Sequence, residues 1–241
     1  MIKGTLSEQV IEILLKIPKH LRDKVQEVSL DMAASMNHIA KTCFKKAQRV
    51  TDRFHVQKLA FEAVQEIRIK HRWEEIEIEN TQYQQAKYNG IKFKPRVLSN
   101  GDTPKQLLAR SRYLLFKNPY NWTDSQKQRA EILFSEYPDI RRAYQLSNEL
   151  SYIYNQKIDK GVALTKMARW FKDAEESGFK SFATIRRTFE QHYAQILNYF
   201  ENRATNAFAE SFNSKIKDFR RNFRGVRDTN FFLFRLNNIF G

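Results

Sequence analysis

The chain has 241 residues, and its 42 lysines and arginines outnumber its 27 aspartates and glutamates, which gives a formal net charge of +15. This excess favours an anionic partner, either nucleic acid or an acidic membrane surface, but no apolar run approaches the roughly 20 residues that span a bilayer. The single cysteine, Cys43, excludes an internal disulfide and argues against a cysteine-based zinc site.

The N-terminus lacks the apolar segment of a signal peptide, so we expect a cytoplasmic, nucleoid-associated protein with no membrane partner. Seven glycines and five prolines are few for this length, so helices should dominate. The length suits one large domain or a core with a sizeable insertion.

The start of the chain predicts a helix followed by a strand. The sequence TLSE at residues 5–8 has the form of a capping box, and the helix that it opens should stop at Pro18. The β-branched residues of 25–30 indicate a short strand that ends at Asp31.

A second helix and a second strand follow. Residues 32–46 are predicted to be helical, and residues 48–51 to be a strand that ends at Asp52. The helix should turn four side chains inward: Met36, Ile39, Ala40 and Cys43.

One long charged helix, or two helices with a kink, is expected for residues 56–88. Its packing edge should contain Leu59, Ala63, Ile67 and Trp73. Residues 89–103 contain Gly90, Pro95 and Gly101 and are therefore predicted to be a loop. The basic, apolar portion IKFKPRV is either a flexible arm or a docked hairpin.

Helices should continue to about residue 203. Thr103 and Thr123 have the signature of N-caps, and Tyr137-Pro138 should interrupt the helix after Thr123. Two apolar stripes then recur at helical spacing: Leu164, Met167, Trp170 and Phe171, followed by Ile185, Phe189, Ile196 and Phe200.

Residues 205–225, TNAFAESFNSKIKDFRRNFRG, carry two stripes at helical spacing. The apolar stripe contains Phe208, Phe212, Ile216 and Phe219. The polar stripe contains Asn206, Glu210, Asn213 and Lys217 and runs on into Arg220, Arg221 and Arg224. A stripe with one acid among several cations makes a poor solvated face, because like charges repel. The same arrangement is suited to an acid that holds a metal ion beside a nucleic-acid backbone.

Three short motifs occur in order along the chain: VSLDM at 28–32, DRFHV at 52–56, and AE-x-x-NSKIK-x-x-RR at 209–221, followed by G-x-R. Together they resemble the catalytic domain of insertion-sequence transposases of the DDE type, in particular the ISL-three group. The likeness covers nearly the whole chain. It implies a fold that is mainly α with a small β remnant: an incomplete ribonuclease-H-like α/β core interrupted by a large all-helical insertion.

The resemblance also implies a division into three segments and a site. The segments are a partial core at 1–56, a helical insertion at 57–203, and a catalytic helix with a core-packing tail at 204–241. DDE enzymes cut and join phosphodiesters with Mg²⁺ (or Mn²⁺) held by three carboxylates. By resemblance Asp31 is the second aspartate and Glu210 the terminal glutamate, so both would be catalytic and metal-binding residues.

Each acid also has a structural interpretation. Asp31 could cap the following helix, and Glu210 could form a surface ion pair that contributes little to stability. Asp52 could assist catalysis or orient His55, but it could equally pair with Arg53 or cap the long helix.

DNA contacts are expected from both basic clusters, because phosphate contacts give affinity without sequence choice. The expected residues are Asn206, Asn213, Lys217, Arg220, Arg221 and Arg224, together with Lys92, Lys94 and Arg96. The implied partner is double-stranded DNA at the insertion-sequence ends and the target, bound by a homo-oligomer. Trp122 is the better candidate for stacking on a base, since Trp170 lies within an apolar stripe.

One departure from the family limits the functional prediction. A complete triad needs a first aspartate on an opening strand, but only Asp23, in a charged link, precedes Asp31. The chain therefore resembles the C-terminal part of a transposase, and we expect no strand transfer without an upstream transposase polypeptide. The alternatives are a non-catalytic, basic helical protein that binds nucleic acid (a decayed or repurposed transposase) and a helical scaffold for a protein partner.

Overall fold

The computed structural model describes residues 6–203, 207–223, 225 and 227–240. These residues are mostly helical and contain one small sheet. The elements in chain order are α1 (Ser7–Leu15), α2 (Lys19–Arg22), β1 (Glu27–Leu30), α3 (Ala34–Cys43), β2 (Gln48–Thr51), α4 (Arg53–Tyr88), α5 (Pro104–Arg110), α6 (Asp124–Glu136), α7 (Pro138–Asn155), α8 (Lys160–Glu176), α9 (Lys180–Asn202), α10 (Ala207–Asn222) and α11 (Thr229–Phe240).

The chain divides into two compact units. The strand unit consists of Met1–His55 and His192–Gly241, and the helical unit of Val56–Gln191. The chain passes between the units within α4 and again within α9. None of the helices in the described ranges is both long and apolar enough to cross a bilayer.

The strand unit is built on the two predicted strands. β1 and β2 pair in parallel, with Glu27 opposite Gln48 and Leu30 opposite Thr51. A parallel pair needs a crossover connection, and α3, against which α1 packs, supplies it. The C-terminal part of α9 joins this unit, where the Asn198 side chain donates a hydrogen bond of 2.9 Å to the Arg49 carbonyl.

One prediction for the strand unit is wrong, and another falls outside the described residues. Leu6 is the N-cap of α1 and makes no side-chain cap bond; Thr5, on which the predicted capping box depends, is not among the described residues. Met36 is 44% exposed, whereas Ile39, Ala40 and Cys43 are buried as expected. Met36 lines a cleft together with Ile39 and Ala40, but it is the residue of the predicted set that stays exposed there.

The last two helices form an aromatic hairpin. Phe212, Ile216 and Phe219 are half-buried on one side of α10; the side chain of Phe208 lies outside the described set. The Phe212 ring lies 5.8 Å from that of Phe240, and the Phe219 ring 5.6 Å from that of Phe232. The C-terminal tail therefore packs against α10 through α11.

The helical unit contains most of α4, which is one continuous helix of 36 residues. Val56, Ala60, Ala63 and Val64 are buried in its N-terminal half. Trp73 is 63% exposed, so its prediction as a packing residue is wrong. The reason is tertiary: no residue of α4 after Arg68 is buried in the described structure.

Helices α5, α6 and α7 begin where the sequence predicts. Thr123 forms a full capping box with Gln126. At Thr103 only the Gln106 side chain takes part, accepting from the Thr103 N–H at 3.0 Å. Tyr137 is the junction of α6 and α7. Trp170 is 2% exposed and donates from Nε1 to the Leu146 carbonyl at 2.8 Å. It lies among Phe171, Phe182 and Phe189, which confirms its predicted core position. Leu164 from the same predicted stripe is exposed, so that part of the prediction is wrong.

Candidate active site

The parallel register places two aspartates side by side at the C-terminal ends of the two strands. Because Leu30 pairs with Thr51, the next residues, Asp31 and Asp52, follow the two strands at equivalent positions. The Asp52 N–H donates to the Leu30 carbonyl at 3.0 Å, which continues the pairing to this point. The carboxyl ends of parallel strands are where α/β sheets commonly bind ligands.

The Asp31 side chain is half-buried and organises the turn into α3. Its Oδ1 accepts a hydrogen bond of 3.0 Å from the Ala33 N–H, two residues later. Ala33, not Asp31, is the N-cap of α3. The structural alternative for Asp31 is therefore a local turn rather than a true helix cap.

The Asp52 side chain is enclosed. It is 2% exposed, and its Oδ1 accepts a hydrogen bond of 3.0 Å from the Phe54 N–H in the first turn of α4. The helix begins at Arg53 rather than near Val56, so Asp52 stands immediately before it. The proposed cap for the long helix is thus present.

The predicted polar face of α10 is exposed. Glu210, Asn213, Lys217, Arg220 and Arg221 are all exposed, opposite the half-buried apolar face. Glu210 lies in the first turn of α10, where the helix dipole favours a carboxylate. The predicted contacts Asn206 and Arg224 lie outside the described residues.

One cleft of the strand unit joins Asp31 to α10. It has a volume of ≈ 390 Å³, and Asp31, His55, Ala209 and Asn213 contribute to its wall. Glu210 follows Ala209 directly and precedes Asn213 by three residues, but it does not line the cleft itself. The turn that carries Asp31 and the helix that carries Glu210 therefore line one cleft.

The same cleft runs along the outer edge of β1. Val28, Ser29, Leu30 and Asp31 all line it. Successive side chains of a strand point to opposite faces, so four consecutive lining residues place the cleft at the strand's edge rather than on one face. The Ser29 hydroxyl oxygen is buried and has no hydrogen-bond partner among the described residues.

The described carboxylates, histidines and cysteine form no group of three that could hold a metal ion. Asp31 and Glu210 remain two hard oxygen donors on neighbouring elements. Carboxylate oxygens are ligands that Mg²⁺ prefers, and this ion is commonly bound by only one or two carboxylates with several waters.

A second cleft of the strand unit lies at the turn between α10 and α11. Its volume is ≈ 810 Å³, and it is lined by four cations, Lys217, Arg220, Arg221 and Arg227. Asp228 also lines it, but that side chain accepts hydrogen bonds from the Asn230 and Phe231 N–H groups at the start of α11. We call this cleft the basic elbow.

Arg227 is a residue that the sequence prediction missed. It is the arginine of the G-x-R motif, and that motif was the signal that could have identified it. Its place in the basic elbow follows from the turn after α10, where Gly225 adopts a φ of 98°. Only glycine adopts that region readily.

The other predicted basic cluster belongs to the helical unit. Lys92 and Lys94 are exposed, whereas the Arg96 guanidinium pairs with the Glu136 carboxylate at 2.6 Å. Phe93 lies edge-on to Tyr83 of α4, with ring centroids 5.8 Å apart. This segment is therefore docked along α4, and no strand forms a hairpin within it.

Comparisons with known proteins agree with the motifs. A family model described as a transposase, that of the ISL3 (ISL-three) group of DDE transposases, matches residues 1–236. The transposase of insertion sequence IS1001 from Bordetella parapertussis is 22% identical over 228 residues, 93% of this chain and 50% of its own length. The transposase of IS1557 from Mycobacterium tuberculosis is 24% identical over 195 residues, 80% of this chain and 43% of its own length.

No solved structure matches the chain. The chain spans about half the length of these curated relatives. The family model covers all but the last five residues, so the match does not depend on a single motif. This chain belongs to the ISL3 family of DDE transposases.

Proposed function

We propose that this chain is the C-terminal part of a transposase catalytic domain, which acts in metal-assisted cleavage and strand transfer at insertion-sequence ends. The observation that carries the proposal is the cleft that Asp31 shares with Ala209 and Asn213, the neighbours of Glu210. Family membership and a net charge of +15 support DNA as the substrate.

In this proposal Asp31 and Glu210 bind Mg²⁺ or Mn²⁺, and Asp52 supports the site from the end of β2. The bound ion would stabilise charge on the reacting phosphate oxygens. Asn213 would orient water or phosphate in the cleft, since its amide both donates and accepts hydrogen bonds. These two acids are not sufficient for strand transfer by themselves, because two carboxylates do not hold a metal pair.

The fold assignment is part of the proposal. The strand unit would be an incomplete ribonuclease-H-like core, with residues 1–56 as its first part and 204–241 as its catalytic helix and tail. Residues 57–203 would be the helical insertion. The two parallel strands with acids at their carboxyl ends support this assignment.

An upstream transposase polypeptide would supply the missing acid. The cleft along the outer edge of β1 supports this, because an unpaired strand edge accepts a further strand. The buried Ser29 hydroxyl would then gain a partner. Without that polypeptide we expect no strand transfer, and the assembly on DNA would be a homo-oligomer in the cytoplasm, associated with the nucleoid.

Double-stranded DNA at the insertion-sequence ends and target would contact the basic elbow through Lys217, Arg220 and Arg221. Asn206 and Arg224, which lie outside the described residues, would also contact the DNA. Lys92 and Lys94 would supply a second contact from the helical unit. Arg96 would take part only after leaving Glu136.

Iron-directed cleavage tests the metal site and locates it. Fe²⁺ substituted for Mg²⁺ generates hydroxyl radicals with ascorbate and peroxide, and these cut the backbone near the bound ion. We expect fragments that end near Asp31 and Glu210, and their loss in Asp31→Asn. Asp124→Asn is the matched control, because this exposed acid lies in the helical unit. Cuts elsewhere, or cuts that persist in Asp31→Asn, would refute the site.

A second function is favoured by the basic elbow. Its four cations do not depend on the acids, so the chain could be a non-catalytic, basic helical protein that binds nucleic acid. Asp31→Asn and Glu210→Gln separate the two functions. Unchanged DNA affinity with no response to Mn²⁺ in the parent chain would support the non-catalytic function.

A further inference from the structure

The C-terminal half of α4, in the helical unit, carries an apolar stripe that is open to solvent. Its side chains recur at intervals of four, three and seven residues: Ile69, Trp73, Ile76 and Tyr83. Alternating intervals of four and three residues are the spacing of a coiled-coil seam, and we call these four residues the α4 seam. Ile69 is 43% exposed, Trp73 is 63% exposed and Ile76 is half-buried. A contiguous row of exposed apolar side chains, unlike a single one, marks a surface that binds another protein.

The charge of this part of α4 differs from that of the whole chain. Residues 70–79, KHRWEEIEIE, contain four glutamates and two cations, in a chain with a net charge of +15. Two copies of a strongly basic chain repel each other. A surface that carries both signs of charge is one where two copies can approach without bringing only cations together.

The charges beside the α4 seam are ordered in a self-complementary way. On a helix of about 3.6 residues per turn, Lys70 and Glu77 fall on one flank of the seam, and Arg72 and Glu79 fall on the other. When two such helices pair in antiparallel orientation about a two-fold axis, the cation on each flank faces the glutamate of the other copy. Parallel pairing would bring together only Arg72 and Glu77.

Arg72 lies among cations within its own chain. Burial lowers the pKa of Arg68, and the nearby Arg112 and Arg72 guanidinium groups lower it further. The Arg72 Nε is buried and has no hydrogen-bond partner in the part of the chain that the structure describes. A carboxylate brought to Arg72 from outside would therefore offset repulsion among the three arginines.

The other flanking charges can also make a further contact. Lys70 lies 3.8 Å from Glu74, but both side chains are exposed, and an ion pair of this kind contributes little. The Glu79 carboxylate accepts from the Lys105 Nζ at 2.6 Å, and a carboxylate has acceptor sites for additional donors. Glu77 is exposed.

We propose that the α4 seam pairs with the α4 seam of a second copy of this chain, in antiparallel orientation about a two-fold axis. Trp73 of each copy would pack against Ile76 of the other. The seam is short, so the dimer should be weak and reversible. The inference rests on the homo-oligomer of the proposed function and assigns a surface to it.

The test uses the full chain without DNA or metal, at an ionic strength near the physiological value, with sedimentation equilibrium as the measurement. We expect a monomer–dimer equilibrium in the parent chain. Trp73→Ala should weaken dimerisation by at least about 30-fold, because the two-fold axis places this side chain in the interface twice. Ile78→Ala is the matched control: Ile78 is 49% exposed on the same helix but lies on the face opposite the seam. This control should dimerise as the parent does.

Charge exchange tests the antiparallel orientation. Lys70→Glu would bring acids together across the axis, and Glu77→Lys would bring cations together, so each variant alone should dimerise at least about tenfold more weakly than the parent. An equimolar mixture of the two variants should recover dimers, because every contact on this flank then joins opposite charges. The double variant Lys70→Glu/Glu77→Lys should recover them as well. Recovery in the mixture also shows that both variants are folded.

A parent chain that stays monomeric at every concentration would overturn the inference, and so would equal dimerisation of the parent and Trp73→Ala. Weakening by Glu77→Lys with no effect of Lys70→Glu would indicate parallel pairing and would refute the antiparallel arrangement. Oligomers larger than a dimer would refute the two-fold interface. These failures are distinct from failure of the proposed function, which is tested at Asp31 and in the basic elbow of the strand unit.

Discussion

The basic elbow makes a quantitative prediction about the salt dependence of duplex binding. Each phosphate neutralised by a cation contributes about −0.9 to the slope of log K against log salt. The four cations of the elbow should therefore contribute about −3.6, so elbow binding should weaken about 150-fold between 50 and 200 mM salt. Replacing Arg220 and Arg221 by alanine should reduce this contribution to about −1.8, or about 12-fold over the same range.

The assay is fluorescence anisotropy with a labelled 20-bp duplex at several salt concentrations. The matched control is Lys58→Ala with Lys172→Ala, which removes the same charge from exposed residues of the helical unit, each paired with a glutamate one turn away. If both double variants lower the slope equally, net charge rather than the elbow drives binding, and the reasoning fails. Arg221 already lies 3.5 Å from Asp218, but an exposed pair of this kind is weak.

Three further predictions concern the fold around the sites. Asp52→Ala should lower the free energy of unfolding by about 1–2 kcal/mol, because it removes the acceptor for the Phe54 N–H. Asp52→Asn should retain most of the stability of the parent chain, and urea titration measures the free energy of unfolding of both variants. Trp170→Ala should cost about 3–5 kcal/mol by the same measurement, and Leu164→Ala, at an exposed position of the same helix, less than about 0.5 kcal/mol. Hydrogen bonds from backbone N–H groups lower the pKa of Asp159. The carboxylate therefore stabilises α8 above the ordinary carboxyl pKa, and this stabilisation is lost as the pH falls through the lowered pKa. The urea midpoint of Asp159→Asn should depend less on acid pH than that of the parent chain.

Local signals in the sequence predicted the positions of many elements. Thr103 and Thr123 precede helices as N-caps, and β2 occupies the four residues predicted for it. These features depend on neighbours three or four residues away, so they can be identified without tertiary information. The exposed and half-buried faces of α10 follow from periodicity in the same way.

Errors arose where burial depends on distant parts of the chain. Met36, Trp73 and Leu164 all have the spacing of core residues, but they are 44%, 63% and 48% exposed. Periodicity identifies which side chains share a face, but not how far along the helix the covering element extends. Arg227 was missed for a related reason, since only the turn after α10 brings it to the other elbow cations.

The parallel pairing of β1 and β2 could not be derived from pattern alone, and it gives Asp31 and Asp52 equivalent positions but different surroundings. The Asp52 carboxylate is sealed and bound to the start of α4, whereas Asp31 lines an open cleft. A hard divalent ion keeps several waters when it binds to carboxylates, so it needs an acid with solvent beside it. We infer that Asp31 serves as ligand and that Asp52 fixes the end of the strand next to it. Asp31→Asn should then abolish metal-directed cleavage with little change in unfolding, and Asp52→Ala should change unfolding before it changes metal binding. The opposite pattern would assign the metal to Asp52 and would leave Asp31 only its turn before α3.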